Sequence, residues 1–370
     1  MKKILILVID GCSPEYLTEK TAPNLFRIGR EHGFLKTVQC AMPSVTNVNH
    51  ACILSGKWPE DTGIAGNYFY HPHTGEEGFI EERGYMKTPT ILRLYQKAGG
   101  KTALFTVKGK ILGVYGDGAD IGLSAQNPDE DLLKRYGLDD PPAIQSVEST
   151  QWIMDAALRC IEIDCPDFVY CTTNDYVFHH FAPGEKEAVE QISAIDRYIT
   201  EIYTHDPQRQ IYITADHGMN QKIFLVNFSL VAKNAGYGIY CLPPLKDRYI
   251  ENHIYQEGGT LYVFLKDLAQ KDRFYTFAKK HPAIEKILTK EEAGQKYHLP
   301  VSEIGDFVLF SKKEYAFGEG KDEMIQTDAS RTHGSLYECE IPLIAINPEQ
   351  PPENYTYNKD IVAHLIPWLL

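Results

Sequence analysis

Asp10 closes the apolar run KKILILVID, and Asp216 and His217 close QIYITADHG. Asp175 and His179 follow DFVYCTTN at D-x-x-x-H spacing, and His333 precedes the apolar run of EIPLIAIN. Carboxylate oxygens and neutral imidazoles are the ligands that divalent cations such as zinc take. Between Asp10 and Asp175 lies PSVTNVNH, where Thr46 offers a hydroxyl that a metal could turn into a nucleophile. Six such ligands and one activatable alcohol suit two-metal phosphoryl transfer. Any one Asp after a strand is equally an N-cap or a turn residue. It is the whole set, with two histidines at metal-like spacing, that points to a metal site.

Residues this far apart in sequence need a scaffold that gathers them. Five segments read as buried strands: Lys3–Ile9, Thr102–Val107, Asp167–Thr173, Gln210–Ala215 and Glu340–Ile346. Each is short and rich in Ile, Val, Leu, Phe or Tyr, as strands covered on both faces are. Helical stretches alternate with them. APNLFRIGREHG reads as a helix closed by Gly33, and TPTILRLYQKAGG as another with Pro89 near its start and Gly99 at its end. EKEAVEQISAIDRYITEIYTHD repeats Val189, Ile192, Ile195, Ile199 and Ile202 at helical spacing. This alternation predicts an α/β fold, a mostly parallel sheet flanked by helices. In such folds ligands bind beyond the carboxyl ends of the strands, where three of these segments run into a candidate ligand.

The pattern changes after His217. FLVNFSLVAKNAGYGIYC, GGTLYVFLKDL and GDFVLFSKKEYAFG read as a mixed α+β unit. Residues 221–322 are therefore expected to be an inserted cap subdomain. Residues 1–220 and 323–370 form the metal-binding catalytic core, which ends in a helix after the Pro-rich NPEQPPENYTYN.

Net charge is −13, so the bulk field excludes a nucleic-acid polymer as partner and leaves anions to local cations or metals. No apolar stretch reaches the ~20 residues of a membrane helix. MKKILILVID is read as the first strand, since its apolar core is short, Asp10 cuts it and no small-residue cleavage site follows. The eight cysteines show no C-x-x-C and no framework spacing. Buried free thiols in a reducing cytoplasm are the economical reading. His71 and His73 lie in a turn-rich HPHTGEEG segment and are read as solvated, and His180 is out of register with Asp175.

PSVTNVNHACILSG reads as a loop entering a helix, whose N-terminus suits a phosphate. Thr46 would sit at that end, and Asn49, one helical step on, could donate its amide N–H to a phosphoryl oxygen. In these pieces the chain resembles the alkaline phosphatase superfamily, in its nucleotide pyrophosphatase/phosphodiesterase branch. The matching motifs are VIDG at Asp10, TNVNH followed by SGKWPEDTGIAGN, D-x-x-x-H at Asp175, ADHG at Asp216 and THG at His333, in the family's order across nearly the whole chain. The resemblance implies an alkaline-phosphatase-like core with two Zn2+ per chain. Asp10, Thr46, Asp216 and His217 would surround one ion, and Asp175, His179 and His333 the other.

A narrower resemblance, to the phosphonoacetate hydrolase family, rests on GNYFY, TVKGK, NDYVFHHFAPG and RTHGSLYE. It implies that Lys108 and Lys110, a K-x-K pair, bind a substrate carboxylate. That family usually has a different residue between the lysines, and an Asn where this chain has His50. The implied reaction is cleavage of the C–P bond of phosphonoacetate to acetate and phosphate, with Thr46 as nucleophile. Tyr68 and Phe69 could wall the pocket, although aromatic residues in such a run more often serve packing. The alternatives are a nucleotide pyrophosphatase or phosphodiesterase with the same metals, a phosphomonoesterase or sulfatase-like hydrolase, and a phosphonate-binding protein without catalysis. Thr46 counts against a sulfatase, which usually needs a modified Cys or Ser. The expected partner is a small anionic phosphonate or phosphoester, with no membrane, and a homodimer is compatible with this reading.

Overall fold

A computed structural model describes residues 1–247 and 257–369. At its centre a seven-stranded sheet runs in the order 33–39, 340–346, 210–214, 4–8, 168–172, 102–106, 121–124. The strand Ile4–Val8 (ILILV) is buried along its whole length, as its uninterrupted apolar sequence requires. It pairs in parallel with Phe168–Thr172 on one side and Gln210–Thr214 on the other. All five strands read from the sequence are present. Two more, Gly33–Gln39 and Ile121–Ser124, complete the sheet.

Glu340–Ile346 runs antiparallel to both of its neighbours. Its first residues therefore lie beside the last residues of the parallel strands. That reversal brings the segment carrying His333 to the edge that already holds Asp10, Asp175 and Asp216.

Helices cover the sheet. Lys186–His205 buries Ile192, Ile195, Ile199 and Ile202 along one stripe. Pro23–His32 ends as expected, but Gly33 does not act as a left-handed cap: its backbone is extended, with φ −179°. A Cβ there would lie 1.9 Å from the Ala345 carbonyl oxygen. The glycine is needed for close strand pairing.

The segment after His217 builds two further sheets. Asn220–Val226 pairs antiparallel with Met324–Thr332, Asn220 opposite Thr332, so the chain leaves and returns through one ribbon. Between them lies an antiparallel sheet in the order 239–242, 260–265, 307–311, 284–289. Along Thr260–Leu265 the faces alternate. Leu261 and Val263 pack with Phe228, Phe274 and Phe307 in a second apolar cluster, while Tyr262 and Phe264 join the main core. Among the described residues no helix is long and apolar enough to cross a membrane.

Candidate metal centre and nucleophile

The carboxyl edge of the central sheet gathers all six candidate ligands, each buried. His179 Nε2 lies 3.2 Å from Asp175 Oδ2. One ligand atom from each of Asp175, His179 and His333 falls within 4.8 Å of the others, and the same holds for Asp10, Asp175 and His217. Around His217 Nε2 stand Thr46 Oγ1 and Asp216 Oδ2, both at 3.2 Å, and Asp10 Oδ1 at 3.5 Å. The His217 and His333 rings stack with centroids 3.5 Å apart. Two clusters thus adjoin, with Asp175 reaching both.

The imidazoles are oriented from behind. His179 Nδ1 faces the Arg331 carbonyl at 2.7 Å, His333 Nδ1 the Ser44 carbonyl at 2.7 Å, and His217 Nδ1 the Gly218 carbonyl at 3.0 Å. A carbonyl only accepts, so each Nδ1 carries the proton and each Nε2 is left with its lone pair. Burial pulls all three imidazoles down toward the neutral form, His333 furthest, with the neighbouring His217 and His179 adding to it. Neutral imidazole is the ligating form.

The acids carry the complementary signature. Burial, then Asp175 and Asp216, push the Asp10 carboxyl up to about 8. Burial raises Asp216 to about 6. Burial also works against the Asp175 carboxylate, but Lys108, His179 and His333 together outweigh it and hold that group well below the usual range. Asp10 Oδ1 and Asp216 Oδ2 are buried without a hydrogen-bond partner. An unpaired buried carboxylate oxygen is costly, and a cation bound at this edge would satisfy both. The donor set of carboxylates and neutral imidazoles fits divalent metals.

Thr46 begins the helix Thr46–Ser55, whose ten residues are all buried. Gly11, at φ +76°, brings its N–H to within 3.1 Å of Asp216 Oδ1, and a Cβ there would crowd Met219 and Asp175. Thr46 opens onto a cavity lined also by Asn67, Lys108, Asn174, Leu245, Asp247 and His333. Lys108 Nζ stands 2.8 Å from Asp10 Oδ2 and 2.6 Å from Asp175 Oδ1.

The structure places three sets of candidates away from the Thr46 cavity lining. Asn49 does not face the cavity: its Oδ1 accepts from Ala41 N–H at 2.8 Å, and its Nδ2 donates to the Ala41 carbonyl at 3.1 Å. It clamps the loop before Thr46. Asn67 takes the cavity position instead, its Oδ1 accepting from Asn47 N–H and its Nδ2 donating to the Leu245 carbonyl. Lys110 is buried and pairs with Asp247 Oδ2 at 2.7 Å, so that it is Asp247 that lines the cavity. Tyr68 and Phe69 wall a separate cleft. His180 Nδ1 faces the Tyr176 carbonyl, and His71 and His73 are on the surface.

Asn67 lies in the GNYFY segment, but no periodicity marks which polar residue of a loop turns inward. Glu338 was equally hidden. Its carboxylate accepts from Ser335 N–H, Ser335 Oγ, Asn220 Nδ2 and Lys222 Nζ. Ser335 in turn receives Ser44 Oγ at its carbonyl, and Ser44 holds His333. This chain of bonds ties the His333 segment to the nucleophile loop.

Residues 4–336 match the sequence family described as Type I phosphodiesterase / nucleotide pyrophosphatase, a family of metal-dependent hydrolases. The chain is 24% identical over 249 residues to an uncharacterized pyrophosphatase/phosphodiesterase of Schizosaccharomyces pombe, covering 62% of this chain and 48% of that protein. It is 25% identical over 231 residues to the venom phosphodiesterase of Macrovipera lebetinus, covering 59% of this chain and 26% of that protein. The chain thus spans half or less of these curated relatives. Among solved structures, phosphonoacetate hydrolase from Sinorhizobium meliloti, in complex with phosphonoacetate, superposes with a TM-score of 0.89 and 27% identity, covering 100% of this chain and 96% of that one. Murine ectonucleotide pyrophosphatase/phosphodiesterase 5, in complex with AMP, gives 0.71 at 16% identity and shares the fold. With its alkaline-phosphatase-like core and the matched span from strand Ile4–Val8 past His333, the chain belongs to the Type I phosphodiesterase / nucleotide pyrophosphatase family.

Proposed function

We propose that the protein hydrolyses the carbon–phosphorus bond of phosphonoacetate, giving acetate and phosphate. The observation that carries this reading is Lys108, a half-buried ammonium in the wall of the Thr46 cavity. Burial works against its charge, but Asp10 and Asp175 hold it well above the usual range for lysine, so it stays cationic. The full-length likeness to phosphonoacetate hydrolase supports the same reading.

Thr46 Oγ gives up its proton and attacks phosphorus, and the C–P bond breaks with its electron pair going to carbon. The substrate carboxylate delocalises that pair as an enolate-like anion, and Lys108 stabilises it as it forms. Carbon then takes a proton to give acetate, and water hydrolyses the phosphothreonine to restore Thr46. Asn67 lines the cavity, and the Nδ2 hydrogen not given to the Leu245 carbonyl would hold a phosphonyl oxygen. Two zinc ions, one held by Asp10, Thr46, Asp216 and His217 and the other by Asp175, His179 and His333, would supply positive charge that acidifies a hydroxyl or a water. Residues 221–322 act as a cap on the core, contributing Leu245 and Asp247 to the cavity wall. The eight free cysteines favour a reducing compartment such as the cytoplasm.

A second reading, hydrolysis of a phosphodiester or nucleotide pyrophosphate, is favoured by Asp247, which occupies Lys110 and half-blocks a carboxylate clamp. Zinc-loaded protein assayed on phosphonoacetate, a nitrophenyl phosphodiester, a nitrophenyl monoester and a dinucleotide polyphosphate separates the two. Phosphate release from phosphonoacetate at a higher kcat/KM than from the esters is the expected result. Turnover of the diester alone would replace the phosphonate reading.

A further inference from the structure

Behind the nucleophile loop lies a second cluster of donor atoms, and all of them are sulfur. Cys40 follows the strand Gly33–Gln39, and Cys339 precedes Glu340–Ile346. Gln39 pairs with Glu340, so the antiparallel register sets Cys40 opposite Cys339, and Cys40 N–H donates to the Cys339 carbonyl at 2.9 Å. Both cysteines line the same cavity. Cys339 Sγ also lies 3.0 Å from Met42 Sδ. The three side chains are 2%, 7% and 5% exposed for Cys40, Cys339 and Met42. They line a cavity of about 200 Å³ that also reaches Trp58, Lys296 and His298.

We propose that Cys40, Cys339 and Met42 form a binding site for a thiophilic monovalent cation, Cu(I) or Ag(I), separate from the Asp/His cluster. Two thiols and one thioether are soft, polarisable donors, which select such ions over zinc or magnesium. Three ligands suit a low-coordinate ion, whereas a structural zinc takes four. On binding, each cysteine S–H gives its proton to solvent and the ion takes both thiolates, so two protons leave for each ion bound. The complex carries one net negative charge, and Lys296 in the same cavity wall complements it. Oxidation to a disulfide is the competing fate of two opposed thiols. Burial of Cys40 disfavours it, because the thiolate is the attacking species and burial pushes the Cys40 thiol well above its usual range. A thiophilic cation displaces that proton directly.

The test uses silver nitrate as the probe and the full chain carrying Cys165→Ser, which removes the exposed thiol. Native mass spectrometry after competition with excess imidazole should show one silver ion retained per chain. Cys40→Ser and Cys339→Ser should each lower its affinity by more than about 100-fold, beyond the range expected for a merely supporting group. Met42→Leu, which keeps volume and removes the sulfur, should weaken it by about tenfold and guards against misfolding of the serine variants. Cys241→Ser should leave retention unchanged. Silver retained unaltered in Cys339→Ser and Met42→Leu would overturn the proposal. So would a product lighter by two hydrogens in place of the silver adduct, which would make the pair a redox cross-link.

Discussion

The Lys110 ammonium lies 2.7 Å from the Asp247 carboxylate, and it is the carboxylate that faces the Thr46 cavity. A substrate carboxylate seeking Lys110 must compete with Asp247. A charge-assisted hydrogen bond contributes about 1.5–3 kcal/mol, so Asp247→Asn should lower the KM for phosphonoacetate roughly tenfold or more. A nitrophenyl phosphodiester should be little affected. A raised KM for both, with a lower melting temperature, would mean the pair only holds the cap to the core, since breaking a buried pair strands the other charge.

Lys108 should behave differently from Lys110, because it lines the cavity itself. Lys108→Ala should cost about 10- to 150-fold in kcat/KM on phosphonoacetate, partly in kcat, and much less on the diester. Metal content must be measured alongside, since Lys108 touches Asp10 and Asp175. Equal losses on both substrates would assign Lys108 to the upkeep of the ligand cluster.

Thr46→Val removes the hydroxyl and keeps the shape. Turnover should fall nearly to background while about two divalent ions per chain remain bound, because the Asp and His ligands are untouched. Chelation should abolish wild-type activity and zinc should restore it. Wild-type turnover in Thr46→Val would mean that water attacks phosphorus directly.

Asn67 and Asn49 make a paired test of which amide faces the chemistry. Asn67→Ala should lower kcat by about 10²–10³-fold, the loss typical of one oxyanion donor. Asn49→Ala should instead lower the melting temperature, since it leaves both backbone polar groups of Ala41 without their partner. The reverse pattern would restore Asn49 as the substrate contact.

Glu257 supplies a pH dependence outside the ligand cluster. Burial pushes its carboxyl up to about 7, against which a hydrogen bond from Ser330 acts only weakly. The folded protein therefore holds a proton there that the unfolded chain loses near 4.5. Between those values stability falls as pH rises, and the cost is full above about 7. Glu257→Gln should raise the melting temperature at pH 8 and make little difference at pH 5. Melting curves at both pH values check this, and a gain that is equal at both would refute it.

Much of the scaffold was legible because buried parallel strands leave a strong local mark. ILILV, FVYCT and QIYIT can hardly be anything else, and each runs into its acid. Gly33–Gln39 was harder. GFLKTVQ is half-buried at the sheet edge, and its polar residues conceal the strand. The glycine that opens it has the sequence signature of a helix stop, yet it is there because the Ala345 carbonyl leaves no room for a Cβ.

The residue types, their order and their places after strands were in the sequence itself: the six candidate ligands, Thr46, and the alternation that makes an α/β sheet. Those are local properties, written in composition and period. Direction was not. Whether Asn49 or Asn67 turns toward Thr46, whether Lys110 meets solvent or Asp247, and that Cys40 faces Cys339 depend on contacts between segments far apart in the chain. The reversal of Glu340–Ile346, which delivers His333 to the ligand edge, depends on packing against Gln210–Thr214 and Gly33–Gln39. A side chain's orientation is the outcome of competition among all its neighbours, and those neighbours exist only once the chain has folded.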